Sequence, residues 1–319
     1  VSVAGAVTVA CMLLLALKNW LHNLAKRIEP SDVEATLKFA IITVIVLPLV
    51  PDTQYGPTGL EVINPYKTWL MVVLIAGLNF AGYLLVKVAG REHGLAITGL
   101  LGGLVSSTAV TLGFAQRSRT EPLLAAVLVL SILLAWTVMF FRVVVEVALV
   151  NPALAGRLAP GMVLMGTVGL GICLLLWRRR PSAETASVET GHNPFDLGDA
   201  VKFGLMFGVV IFVAHAAQVY FGDAGLYLAG ALAGLTDVDA IALSMASLAE
   251  QDPASGGPAA RTVVIAVISN TLVKSGMVIW LGAPAMRKTM LPIALVLAVA
   301  GVGAAVLVGN VAPKIEFPL

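Results

Sequence analysis

The stretch that decides the reading is Gly225 to Ala246, GLYLAGALAGLTDVDAIALSMA. It is apolar and rich in small residues, yet it carries two carboxylates, Asp237 and Asp239. A charge at the centre of a bilayer costs at least ~2.5–3.5 kcal/mol, so such residues face a cavity or a partner and mark function. A second stretch, residues 94–115, GLAITGLLGGLVSSTAVTLGFA, aligns with it without a gap. Gly94/Gly225, Leu95/Leu226, Gly99/Gly230, Leu101/Leu232, Gly103/Gly234, Leu104/Leu235, Ala109/Ala240, Leu112/Leu243 and Ala115/Ala246 are identical pairs. Ser106 and Thr108 stand opposite the two carboxylates. A duplicated membrane element with polar residues at its centre is how many transporters build a binding site.

Composition sets the class around this pair. Of 319 residues, 59% are hydrophobic and 12% charged, and the mean hydropathy is +0.95. Soluble domains run nearer ~45–50% apolar and ~25% charged. The apolar runs are continuous and about twenty residues long, the length of a membrane-crossing helix, and lack the alternation of a membrane barrel. The expected fold is therefore all-α and polytopic. A net charge of +2 gives no reason to expect nucleic acid as a partner. The basic residues sit at span ends, where they set orientation. Cys11 and Cys173 lie in apolar runs and read as packing. His22, His93, His192 and His215 show no metal-ligand spacing.

Taken in order, the chain opens with an apolar segment at 3–17. It lacks a basic n-region and reads as no signal peptide; it is compatible with a longer parent chain. Residues 18–32 form an amphipathic interfacial stretch. Further segments fall at 33–50, 68–89, 94–115, 123–150, 158–177, 200–221, 225–246, 262–281 and 290–311. This divides the chain into N-terminal helices and interfacial segment (1–63), a first repeat (64–180), a polar cytoplasmic linker (181–192) and a second repeat (193–319). If all ten segments crossed, the Arg178–Arg180 cluster would fall opposite Lys18, Lys26 and Arg27, against the positive-inside rule. If 94–115 and 225–246 instead enter and return as broken, re-entrant elements, the basic loops at 18–32, 87–93, 116–120, 178–192 and 287–288 all face the cytoplasm. The two halves then form an inverted repeat. The expectation is about eight spanning helices plus two broken elements, with ten spans as the alternative.

At the centre, Asp237 and Asp239 would point about 200° apart on an unbroken helix. A locally unwound stretch lets both line one cavity, with Thr236 beside them, and frees carbonyls for a hard cation. The simpler reading is that one aspartate caps a half-helix. Ser106, Ser107 and Thr108 are neutral partners, or bind between helices. Asn270 and Lys274 share one helical face. A buried lysine needs a partner, so Lys274 is expected to pair with Asp237 or Asp239 and to compete with a bound cation. Arg142 and Glu146, also four apart, read as a self-contained structural pair. No nucleotide P-loop, HExxH or G-x-S-x-G occurs, so nothing points to an enzyme or to ATP-driven transport.

The blocks LKFAIITVIVLPLVP, INPYKTWLMVVLIAGLNFAGYLLVK, ITGLLGGLVSSTAVTLGFAQRSR, GLTDVDAIALSMA and ISNTLVKSGM resemble an uncharacterised integral-membrane domain, domain-of-unknown-function family 4010, found C-terminal to MgtC/SapB modules. The resemblance spans nearly the whole chain, and no MgtC-like module is recognised in it. It implies a link to magnesium or envelope homeostasis. A weaker likeness is to cation/proton antiporters, whose broken helices carry a Thr-Asp followed by small residues, as in Thr236-Asp237-Val238-Asp239-Ala240. Asn270 stands where one antiporter class has paired acids, so the likeness is one of site and not of fold.

The functional expectation is a transporter or channel for a small cation, with proton coupling as an option and no cofactor beyond a bound cation. Asp237 and Asp239 would be the ion or metal ligands, with Thr236, Ser106, Ser107, Thr108 and Asn270 as neutral partners and Lys274 as competing cation. The alternatives are a non-transporting, MgtC-type accessory protein and a flippase for a lipid-linked substrate. The bilayer of a bacterial or archaeal inner membrane is the expected setting, and a homodimer is left open.

Overall fold

In a computed structural model the described residues are Thr8, Met12, 30–57, 60–89, 95–179 and 197–310. The expected segment at 3–17, the interfacial stretch before residue 30 and the linker at 181–192 lie outside them, apart from Thr8 and Met12. All regular structure among the described residues is helical, with one isolated antiparallel bridge between Tyr55 and Ile63.

Helix α1 (Pro30–Ala40) continues through a π turn (Ile41–Val46) and a 3-10 turn (Leu47–Leu49). It stops at Val50, which is extended because Pro51 follows. Helix α2 (Pro65–Ala89) starts where Asn64 Oδ1 accepts from the Lys67 amide at 3.0 Å, with proline in the first turn. Then come α3 (Leu95–Thr120), α4 (Ala125–Val150), α5 (Pro152–Arg179), α6 (Leu197–Gly234), α7 (Val238–Gln251), α8 (Gly256–Leu281) and α9 (Pro284–Asn310). Seven stretches, in α2 to α6, α8 and α9, are long and apolar enough to cross a membrane. The expected set of about eight spans plus two broken elements differs from this. The first expected segment lies outside the described residues, and the segment at 33–50 is an irregular run of α, π and 3-10 turns.

Two of the seven stretches are not straight. In α3 the backbone leaves the helical region at Ser106 (φ −160°, ψ 103°). A methyl group on Gly102 would stand 2.7 Å from a Val110 methyl, a pair that an unbroken helix holds two turns apart. The segment 95–105 runs parallel to α4, since Gly99 abuts Ser131 and Gly103 abuts Ala135. The segment 107–120 runs back beside α4, bonded to it through Thr111 and Trp136 (2.8 Å), and joins it by a short turn at Pro122–Leu124. The chain therefore doubles back at Ser106. In α6 it reverses at Gly222 (φ 60°, ψ −148°), where Gly225 packs on the Ala217 carbonyl. It breaks again at Leu235–Asp237 before α7.

A constant shift of 131 positions superposes the element bounds of the two halves. Ser106 maps to the second break, Asp237. The segment 107–120 maps onto α7, the turn Pro122–Leu124 onto Pro253–Ser255, and α4 onto α8. The packing repeats with the same shift: Gly230 abuts Thr262 and Gly234 abuts Ala266, as Gly99 and Gly103 abut Ser131 and Ala135. The duplication thus extends well beyond the identities at 94–115 and 225–246. Helices α5 and α9, which correspond, run antiparallel. Gly161 meets Ala304 and Val308, Leu164 meets Gly303, and Met165 meets Gly301. Helix α4, with Trp136, Phe140 and Leu133 fully buried, and α8 sit at the centre of the bundle.

Candidate functional site

Both breaks are built from the same parts. A helix that stops leaves carbonyls without partners, and a helix that starts leaves N–H groups without partners. At the first break the Ser106 hydroxyl accepts from the Ala109 amide (3.2 Å). At the second, Asp237 takes the extended conformation (φ −152°, ψ 144°) and its Oδ1 accepts from the Asp239 amide (3.3 Å). Asp237 is therefore the N-cap of α7, the simpler of the two expected roles. The freed carbonyls are held by side chains of the central helices. Arg142 Nη1 of α4 donates to the carbonyls of Leu104 (3.0 Å) and Val105 (3.3 Å). Asn270 Nδ2 of α8 donates to the carbonyl of Gly234 (2.9 Å).

Each central helix also sends a cation into the other half. Arg142 Nη2 pairs with Asp239, in the first turn of α7. Lys274 Nζ donates to Ser107 Oγ (2.8 Å) and sits 3.0 Å from Met139 Sδ. The expected Lys274–aspartate bond is therefore replaced: Arg142 takes the aspartate, and Lys274 reaches a hydroxyl. The reason is reach from the facing helix, which brings a five-donor guanidinium to Asp239 first. Both carboxylates remain within electrostatic range of Lys274 and Arg142.

Glu146 completes the group. Its carboxylate is fully buried and lies 2.8 Å from Arg142 Nε. Apart from that ion pair its oxygens meet no donor, and Asn270 Oδ1 meets none. Asp239, Lys274, Asn270 and Ser107 are buried. Ser106, Thr108 and Asp237 are half-buried, and Thr236 is exposed with its hydroxyl on the Ala233 carbonyl (2.8 Å). The chain thus passes from exposed Thr236 through Asp237 to buried Asp239. Of the expected site residues, the two breaks and the central helices bring together Ser107, Asp237, Asp239, Asn270 and Lys274. Thr236 points to the outside of the group, and Thr108 makes no contact that gives it a role. Among the described residues no three His, Cys, Asp or Glu side chains approach closely enough to hold a metal ion.

Arg142 and Glu146, a self-contained pair by their spacing alone, form the middle of the site instead. The signal was present: two charges within an otherwise apolar span. One glutamate at i+4 uses only part of a guanidinium, so further acceptors had to come from elsewhere.

A family model described as "Domain of unknown function (DUF4010)" matches residues 73–282, which include both breaks and both central helices. The chain belongs to the DUF4010 family. An uncharacterized protein of Aquifex aeolicus (strain VF5) is 33% identical over 202 residues, covering 63% of this chain and 88% of that protein. No solved structure matches the chain. The matched region carries every charged group of the site, so this DUF4010 domain holds the whole cluster within one family unit.

Proposed function

We propose that this DUF4010 protein is a secondary transporter or channel for a small cation, with its site where the two chain breaks meet α4 and α8. The observation that carries the reading is the balance of the cluster. Three carboxyl groups, Asp237, Asp239 and Glu146, face two cationic groups, Arg142 and Lys274, and apart from the Arg142 ion pair the Glu146 oxygens and Asn270 Oδ1 meet no donor there. Oxygen acceptors and a surplus negative charge suit a hard cation or a proton. An anion would meet the same oxygens and be repelled.

The architecture supports transport over a purely structural role. Antiparallel packing of the corresponding helices α5 and α9, together with the reversal at Ser106, supports an inverted repeat with re-entrant halves. Arg117, Arg119, Arg178, Arg287 and Lys288 then fall on one side, the cytoplasmic one by charge bias. Inverted repeats that meet at broken helices are the common frame of alternating access. Purified protein in liposomes tests this. Cation flux is expected in the wild type and is expected to fall at least tenfold in the Asp237→Asn/Asp239→Asn double variant. Flux that survives the double change, or no flux for any of sodium, potassium, lithium, magnesium or protons, removes the proposal. No flux in the wild type, with capture of a pump or ATP synthase subunit that the double variant loses, would favour the accessory reading.

A further inference from the structure

The arginine has one edge for two acids. On a guanidinium, Nε and Nη2 form the fork that ordinarily holds both oxygens of a single carboxylate. Here Nε faces Glu146 and Nη2 faces Asp239, while Nη1 is taken by the carbonyls of Leu104 and Val105. The two carboxylates therefore stand side by side across one edge, from α4 and from α7. Neither receives the full fork. Glu146 is 0% exposed, and apart from the Arg142 ion pair its oxygens meet no donor. The charged groups around it are Arg142 on its own helix, Asp239 on α7 and Asp237 at the cap of α7; the α3 side contributes the carbonyls of Leu104 and Val105 to Arg142. Arg142 balances only one of the two carboxylates, so the ionised pair needs a further positive group.

We infer that Glu146 and Asp239, held side by side by Arg142, bind one alkali-metal cation between them. This rests on the cation reading above and names its ligands. Two carboxylates and one guanidinium carry one surplus negative charge, so a single monovalent cation neutralises the trio. A divalent ion would overshoot it by one charge. Glu146 supplies ligand oxygens from the rigid, buried helix α4. Asp239 supplies them from the first turn of α7, next to the break. Arg142 is a positioning residue: it keeps two like charges adjacent, which they would not be without it. Because the ligands belong to opposite halves of the duplication, binding ties the halves together.

Thermal unfolding of the full chain in detergent, at fixed pH and ionic strength, tests the site with sodium, lithium or potassium chloride against choline chloride. A ligand that binds the folded state raises Tm as its concentration passes Kd. The wild type is expected to gain Tm saturably in at least one alkali salt. Glu146→Gln is expected to need at least ten times more salt for the same gain, while melting in choline no lower than the wild type. That last readout separates a ligand from a structural residue. If Glu146→Gln does not fold, Glu146→Asp, which keeps the charge on a shorter arm, is expected to weaken binding at least tenfold. Half-saturation unchanged within twofold in the variant that folds overturns the inference. So does a wild-type Tm that responds to acid in choline and to no alkali ion. Liposome flux separates this failure from that of the transport reading. Flux equal in wild type and Glu146→Gln removes the site and leaves the transporter; saturable binding without flux removes the transporter and leaves the site.

Discussion

Arg142 serves two carboxylates and two backbone carbonyls from a single side chain. Removing the one cation of this trio leaves two buried carboxylates uncompensated, at about 3–5 kcal/mol. Arg142→Met should therefore lower the stability by that order, measured by thermal or denaturant unfolding in detergent. Arg142→Lys restores the charge without the planar fork and should recover only part of the loss. The Asn270 bond to the Gly234 carbonyl is a smaller case. Asn270→Ala strands one buried carbonyl, and about 1–3 kcal/mol is expected. The sequence allowed half of this to be read. Asp237, Asp239, Asn270 and Lys274 announce themselves as polar residues in apolar runs. Their pairing was not legible, because whether Lys274 or Arg142 reaches Asp239 depends on how α4 and α8 face the breaks. An i,i+4 pair such as Arg142–Glu146 looks self-sufficient in one dimension.

At the scale of elements, the broken helices lean on the central ones through glycine. A methyl group on Gly103 would lie 2.5 Å from Ala135 Cα, and one on Gly234 would lie 2.4 Å from the Ala266 carbonyl oxygen. Neither neighbour is a flexible side-chain end, so the half-helix must move away from α4 or α8. Gly103→Ala and Gly234→Ala should each cost at least the ~1–3 kcal/mol of overpacking. Gly113 on the returning half of α3 has open space around its Cβ position. Gly113→Ala should be neutral or gain about 0.5–1 kcal/mol, since alanine is the better helix former. Unfolding measurements on the three variants decide whether contact, rather than glycine content, sets the effect. The turns that follow the hairpins add a pH dependence. Asp252 accepts from the Ser255 hydroxyl (2.5 Å) and the Ala254 amide (3.1 Å), and the hydroxyl bond foremost holds its carboxyl below the ordinary value of 3.8. Glu121, at the corresponding position, is lowered by its Arg117 hydrogen bond. A carboxyl lowered in the folded state contributes stability above its unfolded pKa and loses it as the pH falls through the folded one. Each turn should thus be constant near neutrality and weaken below about pH 4. Asp252→Asn should flatten that acid limb in a Tm-against-pH series; an unchanged limb would show that the cap carries no such linkage.

At the scale of the whole molecule, the duplication is far more extensive than its identities. Only the Gly-rich stretches, where backbones approach closely at Gly99, Gly103, Gly230 and Gly234, kept enough matching residues to be seen in the sequence. Apart from the polar site residues of α4 and α8, the helices α4/α8 and α5/α9 need only be apolar and of similar length, so their correspondence is carried by element bounds and packing, not by residue identity. The orientation of the two halves follows from one count. If the elements broken at Ser106 and at Leu235–Asp237 turn back within the bilayer, each half crosses three times, and the turns Pro122–Leu124 and Pro253–Ser255 lie on opposite sides. If they cross, each half has four spans, and the two turns lie on the same side. Leu123 is 99% exposed and Ala254 is exposed, so either accepts a cysteine without disturbing packing. In a background with Cys11 and Cys173 replaced by alanine, Leu123→Cys should react with a membrane-impermeant maleimide only from the cytoplasmic face, and Ala254→Cys only from the other. Labelling of both from one face would leave the antiparallel packing of α5 against α9 without a membrane in which it could arise from re-entrant halves. The cation site would then lose the two-sided access that alternating exposure requires.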